Sequence, residues 1–358
     1  MAASYSNGNG SILLNDTGIE DESVSALFAF HNWYNFYHGY LACVVCVFGV
    51  VANIFNIIVL TRKNMQSPTN VLLTGLAVSD GLTMAAYFPF ALYFYVMEGK
   101  RTIHSARFLL FYAIFSVLVH SVSIWLTVTL ALFRYIFIRY PRRGVILCSI
   151  HRAKLAIVIV SFAVIVVCLP TCLMYEVTPM TENSDQWVIS IKRNGTLDNI
   201  IEKTNFWSQA VLIKLVPCFM LTVLSIMLVK TMKDAEKRRK KLLQKSHKTD
   251  DDSTRERKTN RTTRMLLAVV ILFLLTETPQ GVLHILSGTI EGFFDTVYYP
   301  LGDLLDILAL INNGINFILY CTMSKQFRDT FLVIFFKATR VGGHHLVSTH
   351  MSTRESDL

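Results

Sequence analysis

Ionisable and amide side chains recur at helical spacing inside otherwise apolar stretches of this chain. Ser116, His120, Ser123, Thr127 and Arg134 share one helical face. Glu277, Gln280, His284 and Ser287 share another, and Asp306, Asn313 and Tyr320 a third, with Asp303, Asn312 and Asn316 beside it. Asn53, Asn56 and Asp80 complete the set. A charge at the centre of a membrane helix costs about 2.5–3.5 kcal/mol on insertion scales, so such residues mark functional positions unless they only join helices. For Asn53, Asn56 and Ser116 the joining role suffices. Asp80 and Arg134 each need a partner that can change. Glu277 needs a cation or a proton. Lys214 shares a face with Cys218 and Ser225, which turns it inward. Two arrangements are open: a Lys214–Glu277 pair near His120, or a protonated Glu277 with Lys214 snorkelling outward.

The elements that must position these groups are seven apolar runs, approximately 39–60, 71–97, 108–138, 153–175, 206–229, 265–290 and 297–321. Each meets the length of about 20 residues that a spanning helix needs. The runs are continuous rather than alternating, which excludes barrel strands. With 53% hydrophobic residues, 16% charged residues and a mean hydropathy of +0.44, the 358-residue chain is too apolar for an ordinary soluble domain. The expected fold class is all-α: a seven-transmembrane helix bundle over 37–322, with a short amphipathic interfacial helix after the last span.

The net charge of +9 is not spread as in a nucleic-acid binder. No Lys or Arg precedes Arg62; basic residues then gather in alternate loops and densely in Lys230–Arg264. The positive-inside rule therefore puts the first residues outside the cell and the tail inside. The first residues lack a charged region followed by an apolar core, so no cleaved signal peptide is expected. The sequons at Asn9, Asn15 and Asn194 fall on the expected outer side and are candidate glycosylation sites. Cys43, Cys46, Cys148, Cys168, Cys172, Cys218 and Cys321 all lie outside the outer loops, so no disulfide framework is expected.

Residues 1–36 read as an extracellular tail, 178–205 as an outer loop able to act as a lid, and 230–264 as a charged inner connection with a disordered centre. Residues 323–337 carry Phe327, Phe331, Ile334 and Phe335 at i, i+4, i+7 and i+8, an apolar stripe suited to a membrane surface. The cytoplasmic tail, 338–358, ends Ser356-Asp357-Leu358, which fits strand addition to a PDZ domain. Pro217 and Pro279 interrupt the fifth and sixth spans and should kink them.

Asn53, the LAVSD segment ending at Asp80, Phe133-Arg134-Tyr135, the proline-bearing fifth and sixth spans and NFILY at Asn316–Tyr320 resemble, in order and spacing, the rhodopsin-like G-protein-coupled receptors over residues 37–337. SPTNVLLTGLAVSD, KLVPC, FLLTETPQG and INNGINFILYCTMSKQFR are most similar to the invertebrate myosuppressin/FMRFamide-type neuropeptide receptors. The resemblance implies a plasma-membrane receptor, not an enzyme, for an extracellular peptide ending in amidated Arg-Phe. It implies a heterotrimeric G protein as partner, with arrestin and a PDZ protein as further candidates, contact with membrane lipid, and no nucleic acid. Ligand contacts would fall on Glu98, His120, Lys214, Glu277, Gln280, His284, Asp303 and Asp306. Switch residues would be Arg134, Tyr135, Pro279, Asn316 and Tyr320. No cofactor is required; a sodium ion would sit among Asp80, Ser123, Asn312, Asn313 and Asn316.

The chain departs from the family pattern where Phe133 replaces the acid before Arg134, Phe317 the proline of the last motif, Glu277 the sixth-span tryptophan and Leu109 the third-span cysteine. The inner ionic lock is therefore expected to be missing, and the position that would complete it, around Thr259, is uncharged. The alternative is a transporter or other polytopic membrane protein, which should show duplicated halves that this sequence lacks. A retinal-binding opsin would need a lysine in the last span, which has none. An intramembrane metalloenzyme would need H-E-x-x-H spacing, which His120, His284 and Glu277 lack.

Overall fold

The computed structural model describes residues 18–181, 185–192, 195–243 and 250–336. Seven helical segments among them are long and apolar enough to cross a membrane: Val24–Leu60, Pro68–Val96, Ile103–Arg139, Ile150–Met174, Thr196–Thr231, Val270–Thr289 and Phe294–Met323. In chain order the helices are α1 (Gly18–Leu60), α2 (Pro68–Ala91), α3 (Ile103–Arg139), α4 (Pro141–Leu147), α5 (Ile150–Val167), α6 (Leu169–Met174), α7 (Thr196–Trp207), α8 (Val216–Leu243), α9 (Asp250–Thr289), α10 (Tyr299–Met323) and α11 (Lys325–Phe336).

Hydroxyl caps start three of the spans. Ser67 accepts from the Asn70 amide, with Pro68 inside the first turn; Thr102 accepts from Ser105, and Ser149 from Arg152. Two strands, β1 (Tyr175–Pro179) and β2 (Trp187–Ile191), pair antiparallel with Tyr175 opposite Ile191. This hairpin occupies the loop expected as a lid.

The first helix reaches back to Gly18, far into the segment expected as a tail. α8 and α9 likewise run deep into the charged connection; its centre, 244–249, lies outside the described residues, as does everything after 336. The PDZ-type ending and the sequons at Asn9, Asn15 and Asn194 therefore also lie outside them, and so does the Thr259 side chain.

Three π-helical stretches, Leu92–Val96, Ser208–Leu215 and Phe294–Tyr298, interrupt the second, fifth and seventh spans. Two are followed at once by proline, Pro217 and Pro300, at the second helical position of α8 and α10. Proline lacks an N–H and crowds the carbonyl four residues back. A widened turn ahead of it relieves that crowding and adds a residue to the turn.

Among the described residues the bundle packs around three apolar clusters. One joins α1, α2, α3, α10 and α11 through Leu72, Leu76, Leu126, Tyr320 and Phe327. The second holds Tyr34, Met84, Tyr87, Phe90, Tyr112 and Leu310. The third ties α3, α8 and α9 through Ile124, Leu221, Val270 and Phe273. Large side chains such as Phe162, Phe219 and Leu275 point outward and are exposed, as a bilayer-facing surface requires. The first and seventh spans approach backbone to backbone: a side-chain carbon placed on Gly49 would lie 3.5 Å from the Gly314 Cα. Asn53 Nδ2 fastens that crossing by donating to the carbonyls of Gly49 at 3.0 Å and Asn313 at 3.1 Å.

Phe317 has a packing role in place of the proline it replaces. Its ring meets Phe55, Phe327 and Phe331 with centroids 5.7, 6.0 and 5.5 Å away, clamping α11 to the bundle. Asn64 completes the clamp: its Nδ2 donates to Thr330 Oγ1 at 2.9 Å and its carbonyl accepts from Gln326 at 2.7 Å.

Candidate ligand and switch site

The polar faces of α3, α9 and α10 turn inward. Asp80, Glu277 and Asn316 are 1%, 1% and 5% exposed, which places none of them against lipid. Three groups of functional side chains result.

The first is a charge cluster between the third, fifth and sixth spans. Lys214 Nζ donates to Glu277 Oε2 at 2.5 Å and to Gln280 Oε1 at 2.7 Å. The other carboxylate oxygen, Oε1, lies 3.2 Å from His120 Nε2. Lys214 belongs to the π-helical stretch before Pro217, and Glu277 lies two residues before Pro279. Gly281 lets the two helices close up: a side-chain carbon there would come within 3.3 Å of Lys214 Cβ. Of the two arrangements open in the sequence, the structure holds the ion pair. His284 does not join it. Its ring stacks on Phe206 at 4.9 Å and meets Tyr298 edge-on at 5.9 Å.

The second group lies between the first, second and seventh spans. Tyr95 donates to Asp303 Oδ1 at 2.7 Å, and His31 Nδ1 stands 3.9 Å from Asp303 Oδ2. His38 contacts the Tyr87 hydroxyl at 2.8 Å and the Tyr34 hydroxyl at 3.3 Å. Asp306 is one turn along α10 from Asp303 and is half-buried. Sequence reasoning missed His31 and His38, although their seven-residue spacing, with Tyr34 between them, was a readable signal. Glu98 stands apart from both groups. It is exposed, holds a left-handed backbone (φ 47°), and lines a cavity of about 250 Å³ with Arg101, Ser105 and Trp187 beside the hairpin.

The third group surrounds Asp80. Ser123 Oγ donates to Oδ1 at 2.5 Å and Asn316 Nδ2 to Oδ2 at 3.0 Å. Asn313 contributes its carbonyl to Asn53, while its Nδ2 is buried without a hydrogen bond. Asn312, expected beside Asp80, is half-buried and makes no hydrogen bond to it among the described residues. Asn312 lies one turn before Asn316 and about 40° round the helix from it, so it stays near the same face and differs in height along the helix. Three of the five expected sodium ligands, Asp80, Ser123 and Asn316, thus converge.

Toward the basic end, Arg134 is half-buried and its Nε makes no hydrogen bond; no carboxylate pairs with it among the described residues. Tyr135 is half-buried beside the cluster of α3, α8 and α9. Tyr320 is 2% exposed and packs on Phe327 at 5.5 Å.

The model of the serpentine seven-transmembrane G-protein-coupled chemoreceptors of the Srw type matches residues 40–338. The chain belongs to that family. This membership makes it a multi-pass membrane receptor rather than an enzyme. Among similar proteins, the G-protein coupled receptor dmsr-1 of Caenorhabditis elegans is 31% identical, over 80% of this chain and 66% of its own length. The sex peptide receptor of Drosophila melanogaster is 30% identical over 80% and 69%, and the FMRFamide receptor of the same fly 27% over 80% and 51%. The chain thus spans about two thirds of the length of the first two and about half of the third. Within this Srw receptor each of the three polar groups includes at least one residue from a span that carries a π turn.

Proposed function

We propose that this receptor binds an extracellular peptide ending in amidated Arg-Phe and signals through a heterotrimeric G protein from the plasma membrane. The hairpin end faces outward and the basic end inward. The carrying observation is a split of charge. Glu277 is already neutralised by Lys214 and its other oxygen faces His120, whereas Asp303 has a tyrosine hydroxyl on one oxygen and, among the described residues, no lysine or arginine paired with it. A ligand guanidinium finds its acceptor at Asp303, with Asp306 one turn away, rather than at Glu277. Similarity to receptors named for sex peptide and FMRFamide supports the peptide class. Ligand binding shifts the bundle between arrangements, and the basic end of the sixth helix, hinged at Pro279, uncovers Arg134 and Tyr135. Asp80, Ser123 and Asn316 supply oxygens suited to a sodium ion that would oppose this shift. Arrestin and a PDZ-domain protein remain candidate partners at the tail.

The test is G-protein activation in cells expressing the full chain, challenged with a panel of amidated peptides. Activation by Arg-Phe-amide peptides, lost when the amide becomes a free acid, is expected. Silence to that panel alongside activation by an Arg-free peptide would reject the reading.

A further inference from the structure

Two buried atoms that face each other make no hydrogen bond: His31 Nδ1 and Asp303 Oδ2. Their residues are 8% and 9% exposed. The 3.9 Å between them is too long for a hydrogen bond, and a buried carboxylate oxygen without a donor is costly. The rest of the pair is held in place. Tyr95 fixes Asp303 through Oδ1 at 2.7 Å, and the His31 ring packs on Tyr299 with centroids 5.2 Å apart. One residue comes from the membrane-distal part of α1 and the other from α10.

We infer that His31 and Asp303 form a two-point subsite for the guanidinium of the ligand. This rests on the proposed function and extends it, because it adds a residue of the first helix to the binding machinery. A guanidinium presents several N–H groups in one plane. One can donate to Asp303 Oδ2 while another donates to a neutral His31 through Nδ1, which satisfies both orphan atoms at once. An ammonium is a compact point donor and fits the first contact better than the pair. An anion would meet the carboxylate and is excluded.

The experiment is equilibrium binding of labelled peptides to membranes carrying the full chain, with surface expression measured for each variant. The probes are one Arg-Phe-amide peptide and its citrulline counterpart, which keeps the shape and removes the charge. Native receptor should bind the arginine form about tenfold or more tightly, as loss of a charge-assisted contact implies. His31→Phe keeps the ring packing and removes the acceptor. It should weaken the arginine peptide several-fold and leave the citrulline peptide nearly unchanged. Asp303→Asn should erase the arginine preference. If Asp303→Asn fails to reach the surface, the arginine–citrulline comparison in native and His31→Phe receptors still decides.

Tight arginine binding unaffected by His31→Phe would remove the subsite while leaving the peptide reading intact. Failure of native receptor to bind either peptide would overturn the peptide reading and the subsite together.

Discussion

Lys214 and Glu277 meet at 2.5 Å, 63 residues apart in the chain, and each precedes a helix-breaking proline. The pair bolts a π-widened fifth span to a proline-bearing sixth. With the Glu277 side chain 1% exposed, it lies beyond solvent screening. Breaking one side of a buried pair strands a charge, at a cost of about 3–5 kcal/mol. Lys214→Met should therefore lower the melting temperature of the purified receptor sharply, and Lys214→Met with Glu277→Leu should recover most of it. Additive losses in the double variant would show that the pair carries no coupling.

Asp80 depends on two donors, Ser123 and Asn316. Ser123→Ala should cost about 1–3 kcal/mol of stability by leaving a buried carboxylate oxygen short of a partner. If a sodium ion uses this carboxylate, agonist affinity in native receptor should fall when choline chloride is exchanged for sodium chloride. Asp80→Asn should then bind agonist equally in both salts. A sodium effect that survives in Asp80→Asn would place the ion elsewhere.

Among the described residues no carboxylate pairs with Arg134, and Phe133 stands where the adjacent acid would be. Phe133→Asp supplies one. Basal guanine-nucleotide exchange by the coupled G protein should drop several-fold, since a pair worth about 1.4 kcal/mol shifts an equilibrium tenfold. Unchanged basal exchange at equal surface expression would mean that the lock does not limit the resting state.

Pro217 follows the π stretch that carries Lys214. Pro217→Ala restores an N–H and removes the crowding, so the turn can tighten to α-helical. Loss of one residue from the turn rotates the preceding helix by about 100°. Lys214 would then leave Glu277, and agonist potency should fall about as far as in Lys214→Met. Native-like potency would show that the widened turn is held by packing alone.

Cys148 lies between α4 and α5, outside the membrane helices, 5% exposed, with its thiol 3.5 Å from the Phe133 carbonyl. Burial pushes the thiol pKa up, against the lowering effect of Arg152 and Arg134. A raised pKa leaves less thiolate at neutral pH, so alkylation by a maleimide should be slow there and accelerate as pH rises. Labelling at pH 7 as fast as a free thiol would contradict the buried placement.

The sequence by itself determined seven membrane-length apolar spans and their inward polar faces, and it named Lys214 and Glu277 as candidates for a pair; the structure chose the ion pair over a protonated Glu277. Those features are local or nearly so: a spanning helix declares itself by length and apolarity, and its polar face by a 3.6-residue period. Tertiary structure alone decided where the period fails. The π turns before Pro217 and Pro300 add residues that no helical-wheel reading counts. Asn312, which the family resemblance places with Asp80, makes no hydrogen bond to it among the described residues, while Asn316 does. His31 meets Asp303 only because α1 continues beyond its apolar run and lies along α10, a contact between residues far apart in the chain. Charge and spacing say which groups need partners; the crossing of helices at points such as Gly49 and Gly314 settles which partners they reach.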